Sequence, residues 1–566
     1  MKTPTKKEKR LSFFSELYEK AKGRHRETLS LLSRHMAQYL GSDELDGSSV
    51  RATAVRNITY EIIESQVRSD IPAPKVSPAH YTPEGERCAA AIERLLYRMR
   101  DELPFERQND LDERYTTIFG GSVWLVEWDA GRTLPGERGG IRIRCLSPED
   151  FIPQPDIPEI EDMEYCFLRY CTPRGELCRH FGISPAEAAL SEYEVEGGAP
   201  DEDTVTVVTC FFREEDGAIS RFVFSGGAVL SDITDYYGRK ESICPECGKS
   251  GGCECDSTPL WRESREEIIP LPNGSVRVPY YRPRRFPVVI RKNISRAGQL
   301  LGQSDCEVIR PQQQAINKLE SRIQQKLMRS GVTPVMPEDA RVAPDNSVFG
   351  QVIRLAPGES TAMYGVIDTT PNITAEILQS DRLYEQARRL VGITDSYVGL
   401  EDRSATSGYA KKLQIEQAAG RLESKRLMKE AAYADIDRLI FEFTLAFADE
   451  ARPTPYCDAF GRRHEATFDR YDFLTYDTHS GRYCFDDNFL FAVDRSGGME
   501  TQRAVLWERN LDNLRAGTLG NPTEPQALLR YWQSQERAHY PYARENVEYF
   551  EEMLRKREED SNAKTQ

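Results

Sequence analysis

Four of the thirteen cysteines fall within the twelve residues Cys244-Pro-Glu-Cys247-Gly-Lys-Ser-Gly-Gly-Cys253-Glu-Cys255. The spacing C-x2-C-x5-C-x-C sets four soft thiolate donors where one tetrahedral Zn²⁺ could be enclosed, with Gly248, Gly251 and Gly252 supplying the tight turns. Four protein ligands leave no open coordination position, so such a zinc would be structural rather than catalytic. The closing C-x-C is tighter than the usual C-x2-C, and free thiols or a labile disulfide are the alternatives. Gly248-Lys-Ser-Gly-Gly252 also matches G-x-S-x-G. It lacks the preceding strand and following helix of a nucleophile elbow and reads as a chance match. The other nine cysteines, Cys88, Cys145, Cys166, Cys171, Cys178, Cys210, Cys306, Cys457 and Cys484, are scattered. They read as small apolar packing groups in a reducing compartment.

Little else is arranged for catalysis. Seven histidines are spread over 566 residues, and no G-x-x-x-x-G-K-[ST], G-x-G-x-x-G or H-E-x-x-H string occurs. The expectation is a protein that is not an enzyme. Seventy-five basic against 91 acidic residues give a net charge of −16, which disfavours a tight grip on DNA through its phosphates. The simplest account of that charge is a solvated acidic surface. No run approaches the roughly 18 apolar residues of a membrane span, and no apolar stretch follows the basic start. Neither membrane insertion nor secretion is expected.

The elements that must position any site follow from the hydrophobic pattern. The length suggests about three to five folding units. Nine Lys or Arg against three Glu in the first 26 residues read as a solvated basic tail, followed by a short helix carrying Leu29, Leu32, Met36 and Tyr39. Helical patterns cover 51–67, 83–103 and 104–119, and Gly120-Gly121 ends the third. The period then changes to two: 123–128, 141–145, 163–170, 204–212 and 221–224 read as strands, with a Pro/Asp/Glu-rich turn region at 148–162 and a helical excursion at 173–193. Residues 278–290 return to the sheet pattern. The fold class is α+β.

A long helix is expected at 305–329, with Ile316, Leu319, Ile323 and Leu327 in a narrow stripe and glutamines on its other faces. Residues 332–372 hold five prolines and two strand-like runs, 348–355 and 361–367. A second helix, 374–391, aligns Ile377, Tyr384, Ala387 and Val391. A loop at 392–407 precedes a very long helical pattern, 408–449. Strand-like residues at 470–493 lead to a charged helical region, 499–557, and to a tail, 558–566, expected to be disordered.

This order of parts over 305–449 resembles the portal proteins of tailed bacteriophages. Leu301-Gly-Gln-Ser-Asp305 leading into Arg310-Pro-Gln-Gln-Gln-Ala-Ile-Asn-Lys-Leu-Glu-Ser321 is similar to the approach to the family's first stem helix. Leu146-Ser-Pro-Glu-Asp-Phe-Ile-Pro-Gln-Pro155 resembles its wing turn, and Ser407-Gly-Tyr-Ala-Lys-Lys-Leu-Gln414 the start of the helix after its tunnel loop. The resemblance implies an N-terminal region and wing (1–303), stem helix 1 (304–331), clip (332–372), stem helix 2 (373–391), tunnel loop (392–407), long wing helix with return strands (408–498) and helical crown (499–566). It implies a homo-oligomeric ring, typically a dodecamer, at one capsid vertex. Its partners would be the terminase large subunit, a head-tail adaptor, capsid or scaffolding protein, and translocating double-stranded DNA read without sequence specificity. Localisation would be the virion, with assembly in the host cytoplasm. The stem would pack through Ile316, Leu319, Ile323, Leu327, Ile377, Tyr384 and Val391. The tunnel loop would present Asp395, Tyr397, Glu401, Asp402 and Arg403 to the channel. The cysteine cluster departs from the family pattern and takes no role from it. The competing reading is a zinc-containing nucleic-acid-processing enzyme acting in trans.

Overall fold

The change of hydrophobic period at Gly120 is the first hinge of the architecture. In the computed structural model, α4 (Phe105–Phe119) ends there: Gly120 takes φ +87° and donates its N–H to Thr116 O at 3.0 Å, and a strand begins at the next residue. The structure describes residues 6–42, 56–134, 137–183, 204–243, 260–264, 266–271, 274–328, 332–335, 362, 365–368, 371–393, 408–457, 463–478, 481–494, 507, 510–537 and 543–565. The fold is mixed α and β and divides into two units, one of residues 1–69 with 94–488 and the other of 70–93 with 489–566.

The larger unit opens with α1 (Lys6–Leu40) and α2 (Ile58–Glu64), whose N-cap Asn57 accepts from Tyr60 N at 3.0 Å. A long helix, α3 (Pro83–Glu102), contributes residues 94–102 here and 83–93 to the other unit. The smaller unit also holds β1 (Ala73–Pro78), described below. Then β2 (Gly121–Leu134) takes the centre of a three-stranded antiparallel sheet, between β3 (Glu137–Leu146) and β13 (Val288–Lys292). Val123, Trp124, Leu125 and Val126 are all buried, because α4 and the long helix α8 (Gly408–Phe447) both pack on this sheet. That explains an unbroken apolar run where an exposed face would impose alternation.

Five strands form the second sheet, an antiparallel meander: β4 (Phe151–Pro153), β5 (Tyr165–Pro173), β6 (Thr204–Arg213), β7 (Ile219–Ser225) and β8 (Ala228–Ile233). Successive residues of β6 face opposite sides of this sheet, and both sides are covered. In β6, Val208 and Cys210 pack with Phe14, Tyr18 and Ala21 of α1. Val205 and Val207 pack instead with Leu177 of α5 (Arg174–Phe181). The basic N-terminal stretch is therefore no solvated tail from Lys6 onward. Phe14, Tyr18 and Ala21 recur at helical spacing, and their burial extends α1 far ahead of the short helix expected near residues 29–39.

Two further hairpins follow: β9 (Arg239–Ile243) with β10 (Leu260–Ser264), and β11 (Glu266–Leu271) with β12 (Gly274–Pro279). The strand expected through 278–290 breaks after Pro279 and resumes at Val288, since Pro279, Pro283 and Pro287 cannot donate to a ladder. Then α6 (Asp305–Met328) leads to β14 (Val332–Val335), which pairs with β15 (Gly365–Asp368) ahead of α7 (Thr374–Val391). The expected strand 348–355 lies outside the described residues.

In the smaller unit β1 pairs antiparallel with the strand Phe489–Asp494, from Ala73↔Asp494 to Pro78↔Phe489. Leu514, Ala527 and Tyr531 form its buried cluster, with Trp532 against it. Two helices, Pro525–Arg537 and Ala543–Thr565, pack together. The second continues to Thr565, through the chain terminus expected to be disordered, and carries an exposed Lys556–Glu552 pair of 2.8 Å at i,i+4 spacing.

Candidate functional site

The residues singled out along 305–391 build an antiparallel helical hairpin. Near its far end Lys326 Nζ donates to Glu376 Oε1; midway Ser380 Oγ donates to Glu320 Oε1 at 2.9 Å. At its root Ile309 and Ile316 of α6 meet Ala387 and Val391 of α7, together with Ile393 and with Ile58 and Ile62 of α2. Of the stem residues expected from sequence, Ile316 and Val391 lie in this core and Tyr384 packs against it, donating its hydroxyl to Glu61 Oε1. Ile323 is buried outside that cluster and Leu319 is half-buried. Leu327 and Ile377 are exposed, at 48% and 44%, beside the still more exposed Met328 and Leu378. The root half of the hairpin is thus covered by α2 of the same chain, while the far half carries apolar side chains that remain exposed among the described residues.

The start of α6 is held by backbone crossing. Gly302 N donates to Gly120 O at 2.9 Å, Asn293 N donates to the same oxygen at 2.9 Å, and Gln303 N donates to Ile294 O at 2.8 Å. A Cβ on Gly302 would come closer than 3.0 Å to Ile294 O, and one on Gly120 closer than 3.0 Å to Gly302 O. The glycine of the Leu301-to-Asp305 string is required because three backbones converge there. Ser304 Oγ donates to Ile118 O and accepts from Cys306 N at 3.0 Å, capping the helix.

Below the cap lies a buried polar root. The Asp305 carboxylate accepts from Gln66 Nε2 at 2.9 Å, Asn293 Nδ2 at 3.0 Å and Lys425 Nζ at 2.6 Å, so α8 is tied to the first residue of α6. A carboxylate in the first helical turn also suits the helix dipole. About two turns further, Gln313 Oε1 accepts from Thr59 N and Thr59 Oγ1, both at 3.0 Å. Its Nε2 donates to Arg56 O and Asn317 Oδ1, both at 2.8 Å. The glutamines of α6 occupy the faces beside its apolar stripe, yet Gln313 is 2% exposed and fills all four of its hydrogen-bonding positions.

Beside this root a second network crosses the three-stranded sheet. Asp112 accepts from Ser122 Oγ, from Trp124 Nε1 at 2.8 Å and from Arg291 Nη1, and Arg291 Nη1 also reaches Glu113 Oε1 at 2.8 Å. Lys429 Nζ of α8 closes it on Glu113 at 3.0 Å. Burial alone would favour the protonated form of Glu113, but Arg291 and Lys429 outweigh it and hold its carboxyl below the ordinary range. Burial likewise opposes the charge on Arg291, and Asp112 and Glu113 reverse it, raising its pKa. Such pairs contribute little net stability against an apolar core. What they do is fix the direction in which α4, β2, β13 and α8 meet.

The expected tunnel-loop residues Asp395, Tyr397, Glu401, Asp402 and Arg403 lie outside the described residues, as do Cys244, Cys247, Cys253 and Cys255. The strands flanking the cysteine cluster are described, and Ile243 pairs with Leu260. Among the described residues no group of His, Cys, Asp or Glu is set to hold a metal ion, and no helix is long and apolar enough to cross a membrane. Cys145, Cys166, Cys210 and Cys306 are buried, and burial pushes the Cys166 thiol up to about 12, which keeps it unreactive. Cys171, read with them as packed, is exposed. No protein-family model matches the chain, and no curated protein matches it.

Proposed function

We propose that this chain is the portal subunit of a tailed bacteriophage. It assembles, as a dodecamer, into a ring at one capsid vertex and is the conduit for packaging and ejecting double-stranded DNA. The ring docks the terminase large subunit during packaging and a head-tail adaptor afterwards, contacts capsid or scaffolding protein, and catalyses nothing itself. It resides in the virion after assembling in the host cytoplasm. The cysteine cluster holds a structural zinc.

The observation that carries this reading is the hairpin and its setting: α6, the paired β14 and β15, α7 returning antiparallel, the connection 394–407, and α8 bound back to the first residue of α6 through Lys425 and Asp305. The exposed apolar residues of the far half, Leu327, Met328, Ile377 and Leu378, are suited to lateral neighbours in a ring. The charge of the hairpin fits a sliding surface. Its two helices carry seven basic and six acidic side chains, so the acidic excess of the chain lies elsewhere, and the stem offers passing phosphates neither a strong brake nor strong repulsion.

Negative-stain microscopy and native mass measurement of the purified full-length protein test the proposal. The expected result is a ring with a central channel, lost or weakened by Leu319→Asp. A monomer or dimer at every salt and protein concentration would overturn it.

A further inference from the structure

Arg285 stands between two carboxylates of α8 and hydrogen-bonds to neither. Its Nη1 lies 3.9 Å from Asp435 Oδ1 and its Nε lies 3.8 Å from Glu442 Oε1, both beyond hydrogen-bond length. Asp435 and Glu442 are seven residues apart, two turns or about 10 Å along one face of the helix. The same arginine divides two clefts of the larger unit. A small one, of about 130 Å³, has Glu161, Asp435 and Leu439 in its wall. A larger one, of about 680 Å³, has Tyr281, Arg438, Glu442 and Asp487 in its wall, and Arg285 lines both.

The backbone beneath this side chain is held. Residues 280–287, which join β12 to β13, belong to no helix or strand, yet Arg213 Nη1 donates to Arg284 O at 2.7 Å, the Tyr237 hydroxyl donates to Arg285 O at 2.8 Å, and Phe286 is buried. What is left to move is the Arg285 side chain, which is 37% exposed.

The two carboxylates are unequal. The Asp435 side chain is 50% exposed and that of Glu442 10%, and Glu442 Oε2 is shut off from solvent with no hydrogen-bond partner among the described residues. An ionised carboxylate in that position is costly, whereas water solvates Asp435, so Glu442 takes up its proton first as the pH falls. Burial pushes Glu442 up to about 7 against the pull of Arg285 and Arg438, and Asp487 and Asp435 add to the rise. Burial raises Asp435 as well, opposed by Arg285 and joined by Glu161. Tyr281 and Tyr237 complete the groups facing Glu442; burial raises both hydroxyls, which stay neutral through this range.

We propose that Arg285 is a proton-operated gate between the two clefts. With Glu442 neutral, the guanidinium closes on Asp435, covers the small cleft and leaves the larger one open. With Glu442 ionised, it crosses to Glu442 and the arrangement reverses, because an exposed pair is worth little while a buried charge left unpaired is costly. The gate needs no second subunit and does not rest on the portal reading.

Structures of the full-length protein at side-chain resolution, at about pH 5.5 and about pH 8.5, test it. At the lower pH the guanidinium should lie about 3 Å from the Asp435 carboxylate, and at the higher pH about 3 Å from that of Glu442. Glu442→Gln, which keeps the shape and removes the charge, should hold Arg285 on Asp435 at both values. Asp435→Asn should leave it on Glu442 at the higher pH and unpaired at the lower. If Glu442→Gln unfolds in a thermal melt, the wild-type pair of structures and Asp435→Asn carry the test. One position of Arg285 at both pH values in wild type, a shift that persists in Glu442→Gln, or an Arg285 away from Glu442 at the higher pH in Asp435→Asn would each overturn the proposal.

Discussion

Gly302 carries a constraint that its helix propensity alone would not reveal. Since a Cβ there meets the Ile294 carbonyl oxygen, Gly302→Ala should destabilise the protein by on the order of 2 kcal/mol or more, whereas Gly175→Ala, where a Cβ meets open space, should change little. Urea melts of the two variants compare them directly. Glu442 makes a second prediction. Burial, joined by the nearby Asp487 and Asp435 and opposed by Arg285 and Arg438, pushes its carboxyl up to about 7. A carboxyl held above its unfolded pKa binds its proton more tightly in the folded state. Its contribution is therefore fully present at acid pH, below about 4.5, and is lost as the pH rises toward 7. Across that window wild type should lose roughly 2 to 3 kcal/mol relative to Glu442→Gln, and denaturant melts at several pH values would show the two curves running parallel if the group does not titrate this way.

Among the elements, α6 depends on α2 more than on its own periodicity. Gln313→Leu leaves Thr59 N and Arg56 O without their partner and should cost about 2 to 4 kcal/mol. Lys318→Ala, on the exposed side of the same helix, should be close to neutral. Equal melting midpoints for the two variants would remove Gln313 from the root. The hairpin of β9 and β10 bears on the zinc proposal in a similar way: the residues on either side of the cysteine segment, Ile243 and Leu260, are paired. Metal would then have only the connection to order, for which twelve residues nearly devoid of apolar side chains supply little else. Elemental analysis of protein purified without added metal should give close to one zinc per chain, lost in Cys247→Ser and on acidification, as protons compete for the thiolates. Zinc-free protein with four reactive thiols would exclude the site.

For the whole molecule, the portal reading divides labour between a rigid hairpin and the connection that follows it. Residues 392–407 run between Gly392 and Gly408, with Asp395, Glu401 and Asp402 against the single Arg403, a composition suited to weak contact with passing DNA. Deleting 395–405 should leave ring assembly intact and reduce packaging or retention of DNA, read as nuclease-protected DNA per particle. Wild-type packaging in that deletion would remove the loop from the channel's function. Because the polar root lies between the hairpin and α8, ring assembly is expected to survive changes in the loop but not in the stem.

Local chemistry decided much of the fold before any tertiary contact was considered. The bounds of α4, α6 and α7, and the switch to strands at Gly120, follow from periodicity, glycine stops and proline breaks, which act over a few residues. The burial of Gln313 could not be read that way: its partner Thr59 is 254 positions distant, and a glutamine on a helix is polar whether it faces water or a buried threonine. The same holds for Asp305 and Lys425, for the convergence of Gly120, Gly302 and Ile294, and for the sheet that buries Phe14, Tyr18 and Ala21 of α1. Each depends on segments far apart in the chain meeting at hydrogen-bond or van der Waals distance. A hydrogen-bonding group declares its type in sequence, but its partner is chosen only when packing removes water and leaves that partner as the one within reach.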